Sequence, residues 1–152
     1  MEKRQIILGL NAYHADSSAA IFVDGQLIAA TEEERFRRIK HWAGFPSEAI
    51  KFCLGEVGCS LEDLTAITIG RDPSAKKANK AAFVFKYPLV AKALWSQRSA
   101  NKDDIGLLHE QFKWVEPEVD VAMVKSKIRF IEHHRSHLGS AFFPSPFEES
   151  AI

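Results

Sequence analysis

The sequence predicts a mixed-sheet α/β fold that opens as an antiparallel three-strand meander, and three observations carry this reading. Three β-rich runs stand near the start, Gln5–Leu10, Ser18–Val23 and Gln26–Thr31, with turn chemistry between them. Asp24-Gly25 separates the second and third, a two-residue hairpin signal because a type I′ turn needs positive φ at both positions. A helical pattern and a short apolar run, Ala66–Ile69, then follow, giving the order strand, strand, strand, helix, strand.

The helix begins at Phe45-Pro46-Ser47-Glu48, presents Ala49, Ile50, Phe52, Cys53, Leu54 and Val57 at helical spacing, and stops at Gly58. Ser60-Leu61-Glu62-Asp63 reads as a capping box with Asp in its last position. From Pro73 to about Glu118 the pattern becomes helical and basic, an excursion away from the sheet. The chain returns through a strand at Lys127–Glu132, and His134–Phe143 reads as a helix ended by Pro144 and Pro146. Glu148-Glu149-Ser150-Ala151-Ile152 ends as an apolar strand begins, which reads as a stop within a domain, residues 1–152 being its N-terminal part.

The composition, 46% hydrophobic and 26% charged over 152 residues, suits one globular core. Lys and Arg (20) balance Asp and Glu (20), so no basic field draws nucleic acid or an anionic membrane to it. The most apolar stretch, Ala81–Trp95, is broken by Lys86, Pro88 and Lys92 and is too interrupted to span a bilayer. Cys53 and Cys59 form no metal-type repeat and read as buried or half-buried thiols in a reducing cytoplasm.

Three segments could carry chemistry. In His133-His134-Arg135-Ser136-His137, positions 133 and 137 are one helical turn apart and could place two imidazoles on one metal, a carboxylate from elsewhere completing the set. The plain alternative is a polar helix start with surface histidines. Asn11-Ala12-Tyr13-His14-Ala15-Asp16-Ser17-Ser18 is a polar loop between apolar strands that could cradle a phosphate or adenylate through Asn11, Ser17 and Ser18, or be an ordinary hairpin loop. His14, with Asp16 to orient it, has the equipment of a general base. Glu32 to His41 flips from acidic to basic. It is either a solvated ion-paired loop, or Arg35, Arg38, Lys40 and His41 form an anion-binding wall facing the first loop.

Ile7–Asn11 with His14–Ala20, Glu32-Glu33-Glu34-Arg35-Phe36, Lys40–Pro46, Arg71-Asp72-Pro73, and Phe130–His137 running into Ser140–Glu149 together resemble the carbamoyltransferase family linked to nodulation-factor and antibiotic carbamoylation, over essentially the whole chain. The resemblance implies an actin/Hsp70/sugar-kinase-like fold, related to the tRNA threonylcarbamoyl-transfer enzymes. It also implies that His133 and His137 bind a divalent metal, whether iron, zinc or manganese, beside a nucleotide contacted by His134, Arg38, Lys40 and His41. A further, YrdC-like domain would make carbamoyladenylate from carbamoyl phosphate and ATP, and the carbamoyl group would pass to the hydroxyl of a small-molecule acceptor. Two departures stand out. Ala15 occupies a position where glycine is expected, tolerable if its φ is negative, and an Asp-Gly-x-Gly segment is expected just past Ile152. Transfer by these residues alone is therefore not expected. The competing expectations are a non-catalytic interaction module, homo-oligomeric through an exposed sheet edge, and a kinase-like nucleotide-binding domain of the same fold.

Overall fold

The computed structural model describes residues 4–72, 84–87, 107–143 and 145–149. Five strands form one mixed sheet in the order β3-β2-β1-β4-β5, with β1 at Ile6–Asn11, β2 at Ser18–Val23, β3 at Gln26–Glu32, β4 at Ala66–Ile69 and β5 at Ile128–Phe130. β1, β2 and β3 pair antiparallel, whereas β4 joins β1, and β5 joins β4, in parallel. The meander-led mixed sheet is thus as expected.

The meander turns at Asp24 (φ 49°) and Gly25 (φ 82°), the two positive φ values that the Asp-Gly pair supplies. Period-two alternation places Ile6, Leu8 and Leu10 of β1 and Ala19, Ile21 and Val23 of β2 on one buried face, with Ile67 and Ile69 of β4 beside them. Helix α2, Ser47–Val57, covers that face through Ala49, Ile50, Cys53 and Leu54. Gly58 (φ 68°) ends the helix in a Schellman arrangement, its N–H bonding Leu54 O while the Cys59 N–H reaches the same oxygen at 3.1 Å. Each large side chain so buried contributes roughly 1.5–3 kcal/mol. Cys53 is part of this core, and burial pushes its thiol up to about 11; Cys59 is half-buried, and both are free.

The remaining elements are α1 (Glu34–Arg37), α3 (Leu108–Gln111) running into a 3₁₀ turn at Phe112–Trp114, α4 (Val121–Lys127) and α5 (His133–Phe142). Leu108, Phe112 and Val124 are fully buried and complete the core, Phe112 edge-on to Phe45 at 5.1 Å between ring centroids. Most of the expected basic excursion lies outside the described residues. Its described parts, a helical turn at 84–86 and the segment from Leu108, are helical.

Two expectations are corrected. Ser60 to Asp63 caps no helix: the Asp63 carboxylate accepts from Ser60 N and Oγ at 2.8 and 2.9 Å and only closes a turn. The return strand is three residues, not six, because Lys127 ends α4, a helix not expected from the sequence, and its Nζ donates to Leu61 O and Glu62 O. Among the described residues, no helix is long and apolar enough to cross a membrane.

Candidate functional site

Strand register gathers every candidate segment at one end of the sheet. Asn11 at the end of β1 pairs with Ser18 at the start of β2, which pairs with Glu32 at the end of β3. On the other side Leu10 pairs with Ile69, and Ile69 with Phe130, so β1, β4 and β5 finish together. Loop 12–17, the segment from Glu33 to Pro46, Gly70 and the start of α5 therefore all leave from the carboxyl edge of the parallel strands, the usual ligand-binding position of open α/β sheets. At about 4.8 Å per strand, β1 and β5 lie roughly 10 Å apart.

The first two loops are tied together by backbone. Ser17 N donates to Trp42 O at 2.9 Å, Tyr13 N to Gly44 O at 3.2 Å, and Glu33 N to Ser17 O at 2.9 Å. Ser17 is fully buried and its hydroxyl faces Gly44 O at 2.8 Å and His14 O at 3.1 Å. Asn11 Nδ2 reaches Ala15 O and Asp16 O at 3.3 and 3.0 Å. Asn11 and Ser17 thus direct their donors into their own loops rather than toward a ligand, and Ser18 lies within the β-ladder. The tied backbone holds Tyr13, Asp16, Arg38 and His41 at φ values of 55° to 64°, the left-handed region that costs non-glycine residues energy and clusters at functional sites. Ala15 is not among the residues with positive φ, so the side chain there is unstrained.

Asp16 does not orient His14. Its carboxylate crosses to the second loop and meets His41 Nδ1 at 2.8 Å, whereas His14 Nδ1 has Ala15 O at 3.4 Å. The left-handed turn at Asp16 sends the carboxylate outward across the gap between the loops. The hydrogen bond that the imidazole donates to Asp16, and then the charge of Asp16, raise the pKa of His41 above the usual histidine value. Arg38 and Lys40, with Arg35 and Glu34, line a shallow depression on this surface, and Glu34 also accepts from His41 N at 3.2 Å.

Beneath the loops lies Glu33, fully buried within what reads as a solvated charge run. Its carboxylate accepts from Arg37 Nε at 2.7 Å and from the Ala49 and Glu48 N–H groups at 2.8 and 3.3 Å, capping α2 from another segment. Arg37 also donates to Ser47 Oγ at 2.9 Å and stacks 4.7 Å over the Trp42 ring. A Cβ on Gly44 would meet Trp42 Nε1 at 2.9 Å. Gly44→Ala is accordingly expected to cost about 1–3 kcal/mol in urea unfolding, by overpacking against the indole.

At the other end of the edge, His133 and His137 face each other on α5 with their Nε2 atoms 3.1 Å apart. Two ligands at about 2.1 Å on one ion lie roughly 3.0–3.4 Å apart for cis-octahedral to tetrahedral angles, so this spacing suits a shared metal. His133 Nδ1 lies 3.4 Å from Gly70 O, the type of outer contact that orients a ligating imidazole. Among the described residues, no group of three or more His, Cys, Asp or Glu side chains is arranged to hold a metal. His134 turns away, its Nδ1 2.9 Å from Glu132 Oε1. Glu132 is the α5 N-cap, accepting from Arg135 N at 3.1 Å, and the bonds from His134 and Arg135 hold its carboxyl below the usual range. The cap therefore persists as pH falls until that lowered value is reached. Of the supporting residues missed from sequence, Glu132 had a local signal, an acidic residue just before a helix, and Glu33 and Arg37 had an i,i+4 charge spacing; the bonds of Glu33 to α2 and of Gly70 to His133 run across segments and had none.

Residues 6–152 match the family model described as the carbamoyltransferase N-terminus. The chain is 38% identical over 150 residues to the uncharacterized protein sll1178 of Synechocystis sp., covering 96% of this chain and 24% of that protein. It is 36% identical over 147 residues to the nodulation protein NolNO of Sinorhizobium fredii, covering 93% and 19% respectively. It thus spans a quarter or less of these relatives' length. Among solved structures, YeaZ from Pseudomonas aeruginosa aligns over 90% of this chain and 50% of its own, with a TM-score of 0.44 and 14% identity. The family match runs from the first strand through the paired histidines, and the chain belongs to the carbamoyltransferase family, whose N-terminal model matches it over residues 6–152.

Proposed function

We propose that this chain forms part of an enzyme that transfers a carbamoyl group from carbamoyladenylate to the hydroxyl of a small-molecule acceptor. The observation that carries it is the pair of imidazole nitrogens 3.1 Å apart, on the same sheet edge as the Arg38 and Lys40 depression. A carbamoyl carbon is a poor electrophile, so activation as a mixed anhydride with an adenylate gives it a leaving group. Arg38 and Lys40 supply cations for the adenylate phosphate. His133 and His137 would hold a divalent iron, zinc or manganese ion, which when bound supplies Lewis-acid polarisation of oxygen.

Carbamoyladenylate would come from carbamoyl phosphate and ATP on a YrdC-like domain in the cytoplasm, consistent with relatives four to five times longer than this chain. The paired histidines favour this reading over a kinase-like one, since transfer from ATP needs no imidazole-bound metal. The test is carbamoyl-phosphate-dependent release of pyrophosphate and AMP from ATP by the intact protein, before and after chelation. We expect pyrophosphate release to survive chelation and AMP release to fall at least tenfold, returning with added metal. Loss of neither product, or absence of both from the start, would sink the proposal.

A further inference from the structure

Gly70 stands just past the end of β4, against the first turns of α5, and its lack of a side chain has no backbone cause. It is not among the residues with positive φ, so alanine would suit the backbone. What excludes a side chain is space. A Cβ at Gly70 would lie 3.1 Å from Ser136 Oγ and 3.4 Å from Ser136 Cβ, the first closer than ordinary van der Waals contact. Ser136 lies on α5 between His133 and His137, so the helix meets the sheet edge on the very turn that carries both imidazoles. No residue of α5 is buried, which leaves close contacts of this kind to set where the helix sits.

The carbonyl of the same residue acts on His133. Gly70 O lies 3.4 Å from His133 Nδ1, and Ile131 N donates to Ile69 O at 2.8 Å just ahead of α5, so the chain entering the helix is held along the end of β4. A carbonyl oxygen only accepts, so in neutral His133 the hydrogen is on Nδ1 and the lone pair on Nε2. That lone pair faces His137 Nε2 at 3.1 Å.

We infer that Gly70 is the positioning residue of the histidine pair: its bare α-carbon admits α5 to the end of β4, and its carbonyl turns His133 so that Nε2 is the nitrogen offered to a metal. This rests on the metal-dependent transfer reading above. The helix by itself sets the spacing of the two imidazoles. A metal ion of this class takes several ligands, so the pair must also hold its place on the sheet edge. A methyl group at position 70 drives Ser136 back, and the start of α5 with it, which stretches the His133 contact and frees the ring to turn. Loss of such an outer contact costs about 10–100-fold in metal affinity.

Zinc titration of the intact protein after chelation, with urea unfolding alongside, tests the inference. Gly70→Ala is expected to bind zinc at least about tenfold more weakly while its unfolding midpoint is kept. Ser136→Ala removes the crowded Oγ, so the double variant should bind zinc to within about twofold of the Ser136→Ala single variant, a rescue that a general loss of stability would not show. Nitrogen-15 NMR of labelled histidines needs no substitution: in the chelated protein His133 should be the Nδ1–H tautomer and His137 the Nε2–H tautomer that donates to it, and zinc should move the His137 hydrogen to Nδ1. Wild-type zinc affinity in Gly70→Ala, or His133 found as the Nε2–H tautomer after chelation, overturns the inference. Failure of the wild type to bind zinc instead overturns the metal reading on which it rests.

Discussion

Replacing Glu33 with alanine is expected to destabilise the protein by about 3 kcal/mol, the cost of breaking a buried, hydrogen-bonded pair. The carboxylate is fully buried and serves two ends at once, the Arg37 guanidinium and the first N–H groups of α2. Its removal leaves Ala49 N without its acceptor, and Arg37 without its 2.7 Å partner while still stacked on Trp42. Glu33→Gln keeps the shape and an acceptor oxygen but loses the charge, so its cost should be about half as large. Urea unfolding of both variants measures the difference. Equal stability of Glu33→Ala and the wild type would mean that water fills the space and satisfies both groups.

The double variant His133→Ala, His137→Ala should lose metal affinity by more than a thousandfold. Structural zinc sites with four ligands bind with about 10–16 kcal/mol, or roughly 2.5–4 kcal/mol per ligand, so losing two exceeds 4 kcal/mol. No residue of α5 is buried and alanine is the best helix former, so the fold should be unharmed and the effect separable from stability. Zinc or cobalt titration of the intact protein, with elemental analysis of the purified material, gives the result. Unchanged affinity in the variant would return both residues to the role of surface histidines.

The parts of the fold that were legible in sequence are those set by local chemistry. Asp24-Gly25 demands a particular turn, Gly58 supplies the left-handed end of α2, and alternation in the first two strands marks their buried face. The edge strand β3 and the helix α4 show the limit. Leu27 and Ile28 are half exposed despite their apolarity. Val121–Lys127 is too short for a period to declare itself and is held by an Asp120 cap and by Val124 in the core. At the candidate site the histidine spacing on α5 was readable, because one helical turn is a local fact. The partner of Asp16 was not, since His14 is two residues away and His41 twenty-five, and only the ties between loops decide between them. Glu33 failed to stand out for the same reason: three consecutive glutamates look alike until the chain places one of them under a helix.

The four left-handed side chains at Tyr13, Asp16, Arg38 and His41 set a direction for any attempt to harden this protein. Glycine at such a position relieves backbone strain of order 1 kcal/mol, partly offset by the entropy it adds to the unfolded chain. A screen that rewards heat resistance alone would therefore tend to erase a tyrosine, a cation and the Asp16–His41 pair from the edge where ligands arrive. Robust variants gathered that way would be quiet ones, and thermal improvement is better sought on the far side of the sheet, around the Asp24-Gly25 hairpin.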